Sequence, residues 1–146
     1  GVEYTHVPTN YQIDMAEFLS SLGVDIIIGT HPHVIMPITY INDTLVIYSL
    51  GNFLSAQDTN NDYNTTVGLL SSIKITKNID KDNNSSIKLS DLNNELIYTT
   101  NKDGYKIIPF SNPDIKDYLN DYERVYNKYA NIVRSIDSSI NINSLS

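Results

Sequence analysis

The run GVDIIIGTHPH, from Gly23 to His33, constrains this chain more than any other stretch. Ile26, Ile27 and Ile28 follow one another with no polar alternation, the pattern of a short strand buried on both faces of a helix-covered sheet. The residues before it spell a helix. Thr9 and Gln12 in TNYQ fit a capping box, with Thr9 as N-cap, and Pro8 turns the chain in. Met15, Phe18, Leu19 and Leu22 recur at helical spacing, and Gly23 stops the helix in the left-handed conformation. Helix, glycine, strand and loop make half of an α/β unit. His31 and His33 fall at the carboxyl end of the strand, where α/β sheets usually bind ligands.

Pro32 disfavours the helical region for His31 and pushes it extended. Residues two apart in an extended segment point the same way, so both imidazoles should face one side. Gly29 lets a backbone or ligand approach closely. Neutral imidazole is a common ligand for zinc, iron and manganese. Two ligands are not a site, since a catalytic zinc takes about three protein ligands and an open position. The competing reading is a pair of histidines hydrogen-bonded to loop backbone. The third histidine, His6, stands apart in EYTHVP.

Downstream, Val34 to Ile41 and Thr44 to Tyr48 read as two strands joined by an Asn42-Asp43 hairpin turn, with Pro37 marking an edge or a bulge. Gly51 bends the chain out of the second strand. Residues 56–64 are a polar loop. Thr65 to Thr76 reads as a strand with Val67, Leu69, Ser71, Ile73 and Ile75 on one face. Ile79 to Ser86 reads as a mobile turn, Ile87 to Thr99 as one or two strands, and Ile107 to Phe110 as a last short one. Asn112 then caps a long helix with Pro113 at its first position. Its stripe of Ile115, Tyr118, Tyr122, Val125, Tyr129, Ile132 and Ile136 predicts one helix packed on the sheet, although its spacing also fits a coiled-coil seam.

The 146 residues suffice for one modest domain with its own core. A net charge of -7 with no basic stripe argues against nucleic acid and against an anionic membrane surface. No cysteine is present, so neither disulfides nor thiolate chemistry enters.

Three motifs in order, GVEY, GVDIIIGTHPHVIMP and IYSLGNF, cover residues 1–53. They resemble the capsule-biosynthesis CapA (poly-γ-glutamate synthesis) family, whose members read His-Trp-Gly-x-Glu-Tyr, Gly-Ala-Asp-x-Ile-Ile-Gly-x-His-Pro-His-Val and Tyr-Ser-Leu-Gly-Asn-Phe. That family is related to calcineurin-like metallophosphoesterases. The resemblance therefore implies a mixed α/β (α+β) fold, the C-terminal half of a metallophosphoesterase-like two-sheet sandwich, here with the long C-terminal helix added. On this reading residues 1–55 are that half of the core, and residues 56–146 add strands and a helix to the same domain.

The resemblance also implies site residues. His31 and His33 match the Gly-x-His-x-His metal motif. Glu3 matches the acidic residue of the Glu-Tyr motif and Asn52 the Asn of Ser-Leu-Gly-Asn-Phe, which makes both candidates for catalysis. Ser49 and Asn52 would contact substrate, and His6 matches no family ligand. The family's Gly-Asp and Asn-Asn-His metal motifs do not occur in this chain, and the His-Trp expected before Gly1 is absent. The chain therefore reads as the C-terminal part of a larger protein, inactive alone. Its partners would be the missing N-terminal half, capsule synthesis and export subunits, and an anionic polymer or phosphorylated substrate. The parent would hold divalent manganese, zinc or iron, the fragment weakly or not at all. It would work on the extracellular face of the bacterial membrane, anchored outside this stretch. Two functions stand at this point: a metal-dependent phosphoesterase-like hydrolase, or a non-catalytic scaffold or polymer-binding subunit.

Overall fold

A computed structural model describes residues 2–57 and 62–145. The asparagine-rich loop expected at 56–64 falls in part on residues 58–61, which lie outside the described residues, as do Gly1 and Ser146. The fold is mixed α/β, with two three-stranded sheets and two α-helices among the described residues.

Helix α1 (Asn10–Ser21) starts on the expected capping box: the Gln12 amide N–H donates to Thr9 Oγ1, and the Thr9 N–H donates to Gln12 Oε1. Gly23 follows it at φ +83°. Strand β1 (Ile26–Ile28) runs parallel to β3 (Thr44–Ile47), and β2 (Ile38–Ile41) pairs antiparallel on its other side, giving the order β1-β3-β2. The Asn42-Asp43 turn holds, with Asn42 at φ +53°. The first expected strand is shorter than Val34 to Ile41, because Pro37 has no N–H for the ladder; Ile35 instead bridges Leu50.

Two expectations for this half are corrected. Strand β1 is not buried on both faces: it lies at the sheet edge with β3 as its one partner among the described residues, and Ile28 is 57% exposed. Helix α1 buries Ala16 and Ser20, with Ile13 packed beside them, whereas Met15, Phe18 and Leu22 look outward with Tyr11. The helical spacing was right, but those residues line the face turned away from the sheet.

The second sheet is antiparallel, order β4-β5-β6 (Val67–Ile79, Ser85–Thr100, Lys106–Pro109). Strands β4 and β5 form one long hairpin, closed by a turn at 80–84 in which the Asp80 carboxylate accepts from Asp82 N, Asn84 N and Asn84 Nδ2. A bulge between Ser72 and Lys74 breaks the two-residue alternation, so Val67 and Leu69 are buried while Ile75 is 57% exposed.

The predicted Ile115 to Ile136 helix is broken. Asn112 does cap, accepting from Asp114 N, but what it caps is a short 3-10 helix, Pro113–Asp117. Helix α2 is Tyr122–Val133, and Ile136 lies beyond it, half exposed. Asn120 and Asp121 interrupt the run. Both are residue types that favour caps over helix interiors, and the Asp121 carboxylate turns to Arg124. The stripe still reaches the core, because Ile115, Leu119, Val125, Tyr129 and Val133 are all buried in one cluster with Ile38, Leu45 and Ile47 of the first sheet and Val67, Leu69 and Leu96 of the second. No helix among the described residues is long and apolar enough to cross a membrane.

Candidate metal centre

The ligand atoms of Glu3, His31 and His33 lie within 4.8 Å of one another. Three pieces of local structure bring them there. Gly29 continues the ladder past β1, its N–H donating to Ile47 O at 2.7 Å. A Cβ at that position would stand 2.2 Å from Tyr48 O, so only glycine lets the chain leave the strand along this path. Pro32, buried, accepts at its carbonyl from Tyr4 N at 3.0 Å, which pins Glu3 beside His31. Glu3 Oε1 is 3.9 Å from His31 Nε2, with both side chains about half exposed.

The expected extended geometry at the histidines does not occur. His31 has φ +95° and His33 φ +62°, and Tyr4 opposite them has φ +60°. The two imidazoles meet because the loop is coiled through left-handed residues, with ring centroids 6.1 Å apart, and not because a strand alternates. Such backbone costs of order 1–3 kcal/mol per residue outside glycine and persists where surrounding contacts impose it, typically at functional sites.

His33 is the better buried of the pair. The Tyr4 ring stacks on it at 6.0 Å between centroids, 25° between planes. Its Nδ1 lies 3.1 Å from Asn52 Oδ1. Ser49 is 2% exposed, and its Oγ accepts from Gly51 N, so it shapes the bend that presents Asn52. Gly29, His31, His33, Asn52, Phe53 and Leu70 border one open cleft of about 260 Å³. That is just below the ordinary range for small-molecule sites, a size suited to a compact polar group.

The structure thus brings four of the five sequence candidates, His31, His33, Ser49 and Asn52, to one cleft, and sets the fifth, Glu3, beside His31. His6 stands elsewhere. Its Nδ1 is 2.7 Å from Ile35 O and its Nε2 3.1 Å from Asn64 Oδ1, an oxygen that also accepts from Lys128 Nζ and lies 2.8 Å from the Tyr129 hydroxyl. His6 therefore ties the N-terminal segment to α2. Beside it, hydrogen bonds from Arg124 and Lys128 hold the Asp62 carboxyl well below its ordinary range, at about 2. Sequence reasoning missed Tyr4 as the lid on His33 and missed Asn64, Lys128 and Tyr129 as partners of His6. Tyr4 adjoins Glu3 in a quoted motif and could have been found, whereas the others are tens of residues distant.

Two imidazoles and one carboxylate are a donor set suited to zinc, iron or manganese. Donors on one tetrahedral ion bonded at ~2.1 Å stand about 3.4 Å apart, so the three groups, within 4.8 Å of one another, would close up by about 1.4 Å at most to hold an ion.

The sequence model of the family described as bacterial capsule synthesis protein PGA_cap matches residues 1–57. That segment is similar to the capsule synthesis family. The same stretch is 47% identical over 57 residues to "PGA biosynthesis protein CapA" of Bacillus subtilis (strain 168), covering 39% of this chain and 15% of that protein. It is 39% identical over 57 residues to "Capsule biosynthesis protein CapA" of Bacillus anthracis, covering 39% of this chain and 14% of that protein. The chain therefore matches about a seventh of the length of these relatives. No solved structure matches. The family segment carries Glu3, His31, His33, Ser49 and Asn52.

Proposed function

We propose that this chain carries part of the metal centre of a capsule (poly-γ-glutamate) biosynthesis protein that hydrolyses phosphate-ester or related bonds in a metal-dependent reaction at the bacterial cell surface. The observation that carries the reading is the convergence of Glu3 with His31 and His33, two histidines that stand on strained backbone and border a cleft. Glu3, His31 and His33 would hold a divalent ion, zinc, manganese or iron. Such an ion supplies a Lewis acid for a phosphoryl oxygen and lowers the pKa of a bound water. The chain's own residues arrange the rest. Tyr4 covers His33, Gly29 and Gly51 shape the loops, and the polar rim at Asn52 faces the incoming group.

Three ligands hold an ion less firmly than a complete centre does, and further ligands would come from the remainder of a full-length capsule synthesis protein. Two surface features support that partner. Helix α1 exposes an unbroken apolar stripe of Tyr11, Met15, Phe18 and Leu22, and β1 beside it has one edge without a strand among the described residues.

Calorimetry with zinc and with manganese at neutral pH tests the reading. One weakly bound ion per chain, lost in His31→Ala and in His33→Ala, is the expected result. No binding, or binding indifferent to both substitutions, overturns it.

A further inference from the structure

The side-chain amide of Asn52 has only one tolerable orientation. Its Nδ2 lies 3.0 Å from Thr65 O, 2.7 Å from Gln57 Oε1 and 3.2 Å from Ser55 Oγ. A backbone carbonyl can only accept, so the group facing Thr65 O must be the NH2. The other end, Oδ1, then faces His33 Nδ1 at 3.1 Å and can only accept. His33 must therefore carry its hydrogen on Nδ1, and the lone pair of the neutral ring sits on Nε2.

The backbone of Asn52 is as firmly placed as its amide. Gly51 precedes it at φ +70°. Gly68 of β4 lies so close that a Cβ there would be 2.0 Å from Asn52 O. The next residue, Phe53, accepts at its carbonyl from Thr99 Oγ1 at 3.0 Å. The amide reaches His33 from a segment clamped between the two sheets.

We infer that Asn52 is a positioning residue: it fixes the Nδ1–H tautomer of His33 and so presents Nε2 as the metal-binding atom. This rests on the metal reading above but adds what that reading leaves open, namely which nitrogen binds and what holds it ready. Outer partners of this kind orient ligating histidines, and their loss typically costs 10–100-fold in metal affinity.

The test uses two variants. Asn52→Ala removes both the acceptor for His33 and the donor to Thr65. Asn52→Asp removes the donor but keeps an acceptor. Two-bond 1H–15N correlation spectra of the metal-free, 15N-labelled chain near pH 8 read the tautomer of each neutral ring, with His33 assigned by its loss in His33→Ala. Zinc calorimetry reads affinity, and amide dispersion reads the fold. The expected result is Nδ1–H at His33 in the wild type and in Asn52→Asp, a shift toward Nε2–H in Asn52→Ala, and a 10–100-fold affinity loss in Asn52→Ala alone. An Nε2–H ring in the wild type overturns the inference without any variant. Equal affinity losses in both variants also overturn it, because Asn52 would then be only a loop tether. A wild type that holds Nδ1–H at His33 yet takes up no zinc overturns the metal reading, and with it any positioning role toward an ion.

Discussion

Tyr129→Phe is the sharpest probe of how the family segment is joined to the rest of the chain. Tyr129 is completely buried, and its hydroxyl lies 2.8 Å from Asn64 Oδ1 and 2.9 Å from Asp62 O. Deleting the oxygen leaves the ring volume unchanged, so almost no cavity opens. Neither acceptor is orphaned. Asn64 Oδ1 keeps Lys128 Nζ at 3.0 Å, and Asp62 O keeps Lys128 Nζ at 3.3 Å. The cost should thus be that of one net hydrogen bond, about 1 kcal/mol, and not the 2–3 kcal/mol of a stranded buried polar group. In a chain of this size that is a fall in Tm of about 3–4 °C. Tyr129→Ala adds the cavity and should cost about 3–5 kcal/mol. Urea unfolding followed by far-UV circular dichroism measures both, and a double-mutant cycle with His6→Ala should show coupling of at least ~0.5 kcal/mol through the shared Asn64 oxygen. A Tyr129→Phe cost above about 2.5 kcal/mol would mean that an acceptor is stranded after all, and zero coupling would mean that His6 and Tyr129 do not share Asn64.

Gly29→Ala should cost about 1–3 kcal/mol, because its Cβ meets the Tyr48 carbonyl at 2.2 Å, and should weaken zinc binding further by moving His31; a variant that is as stable as wild type and binds zinc equally would refute the role given to this glycine. The ion pairs of Asp62 make a second prediction, in pH. Its carboxyl is depressed to about 2, so the stability it contributes is complete above the ordinary carboxylate range and is lost as pH falls through 2. The side chain is half exposed and screened, so the contribution is about 1 kcal/mol or less. The difference in unfolding free energy between wild type and Asp62→Asn should be constant from pH 7 to about 5 and close by pH 2. A difference that does not change with pH would show that the pairs contribute nothing.

What could be read from the sequence was local, and what could not was set by partners far along the chain. The α1 cap, the Gly23 stop and the Asn42-Asp43 turn each depend on residues within four positions, and each stands as expected. The burial of β1 did not, because three isoleucines look the same at a sheet edge as at its centre. The α2 stripe was correct in its inward residues and wrong in its continuity. Periodicity records which residues meet the core, but a chain can keep that phase through a 3-10 turn and a break at Asn120-Asp121. The bulge near Lys74 was equally invisible, since nothing in its own residues demands it.

The metal-centre candidates show the same division in a more useful form. His31 and His33 were found because they are two residues apart, yet the reason given for their meeting was wrong: they converge through left-handed backbone and not through strand alternation. A loop coiled that way is costly, and what offsets the cost lies outside the His-Pro-His motif. Tyr4 N holds Pro32 O, Asn52 holds His33, and Gly68 gives the Asn52 segment room against β4. Of these, Tyr4 and Asn52 belong to the family segment, as do Ser55 and Gln57, which accept from the Asn52 amide; Thr65, which also accepts from it, and Gly68, which gives the Asn52 backbone room, lie beyond residue 57. The family motif therefore supplies the ligands, but residues beyond it, Thr65 and the β4 residue Gly68, help to hold the segment that orients one of them. A change confined to β4 should then alter metal affinity without touching a ligand. Gly68→Ala, which forces the Asn52 carbonyl away from its 2.0 Å encounter with a new Cβ, should lower zinc affinity along with stability, while a change farther out on the same strand, Ile75→Thr, should do neither.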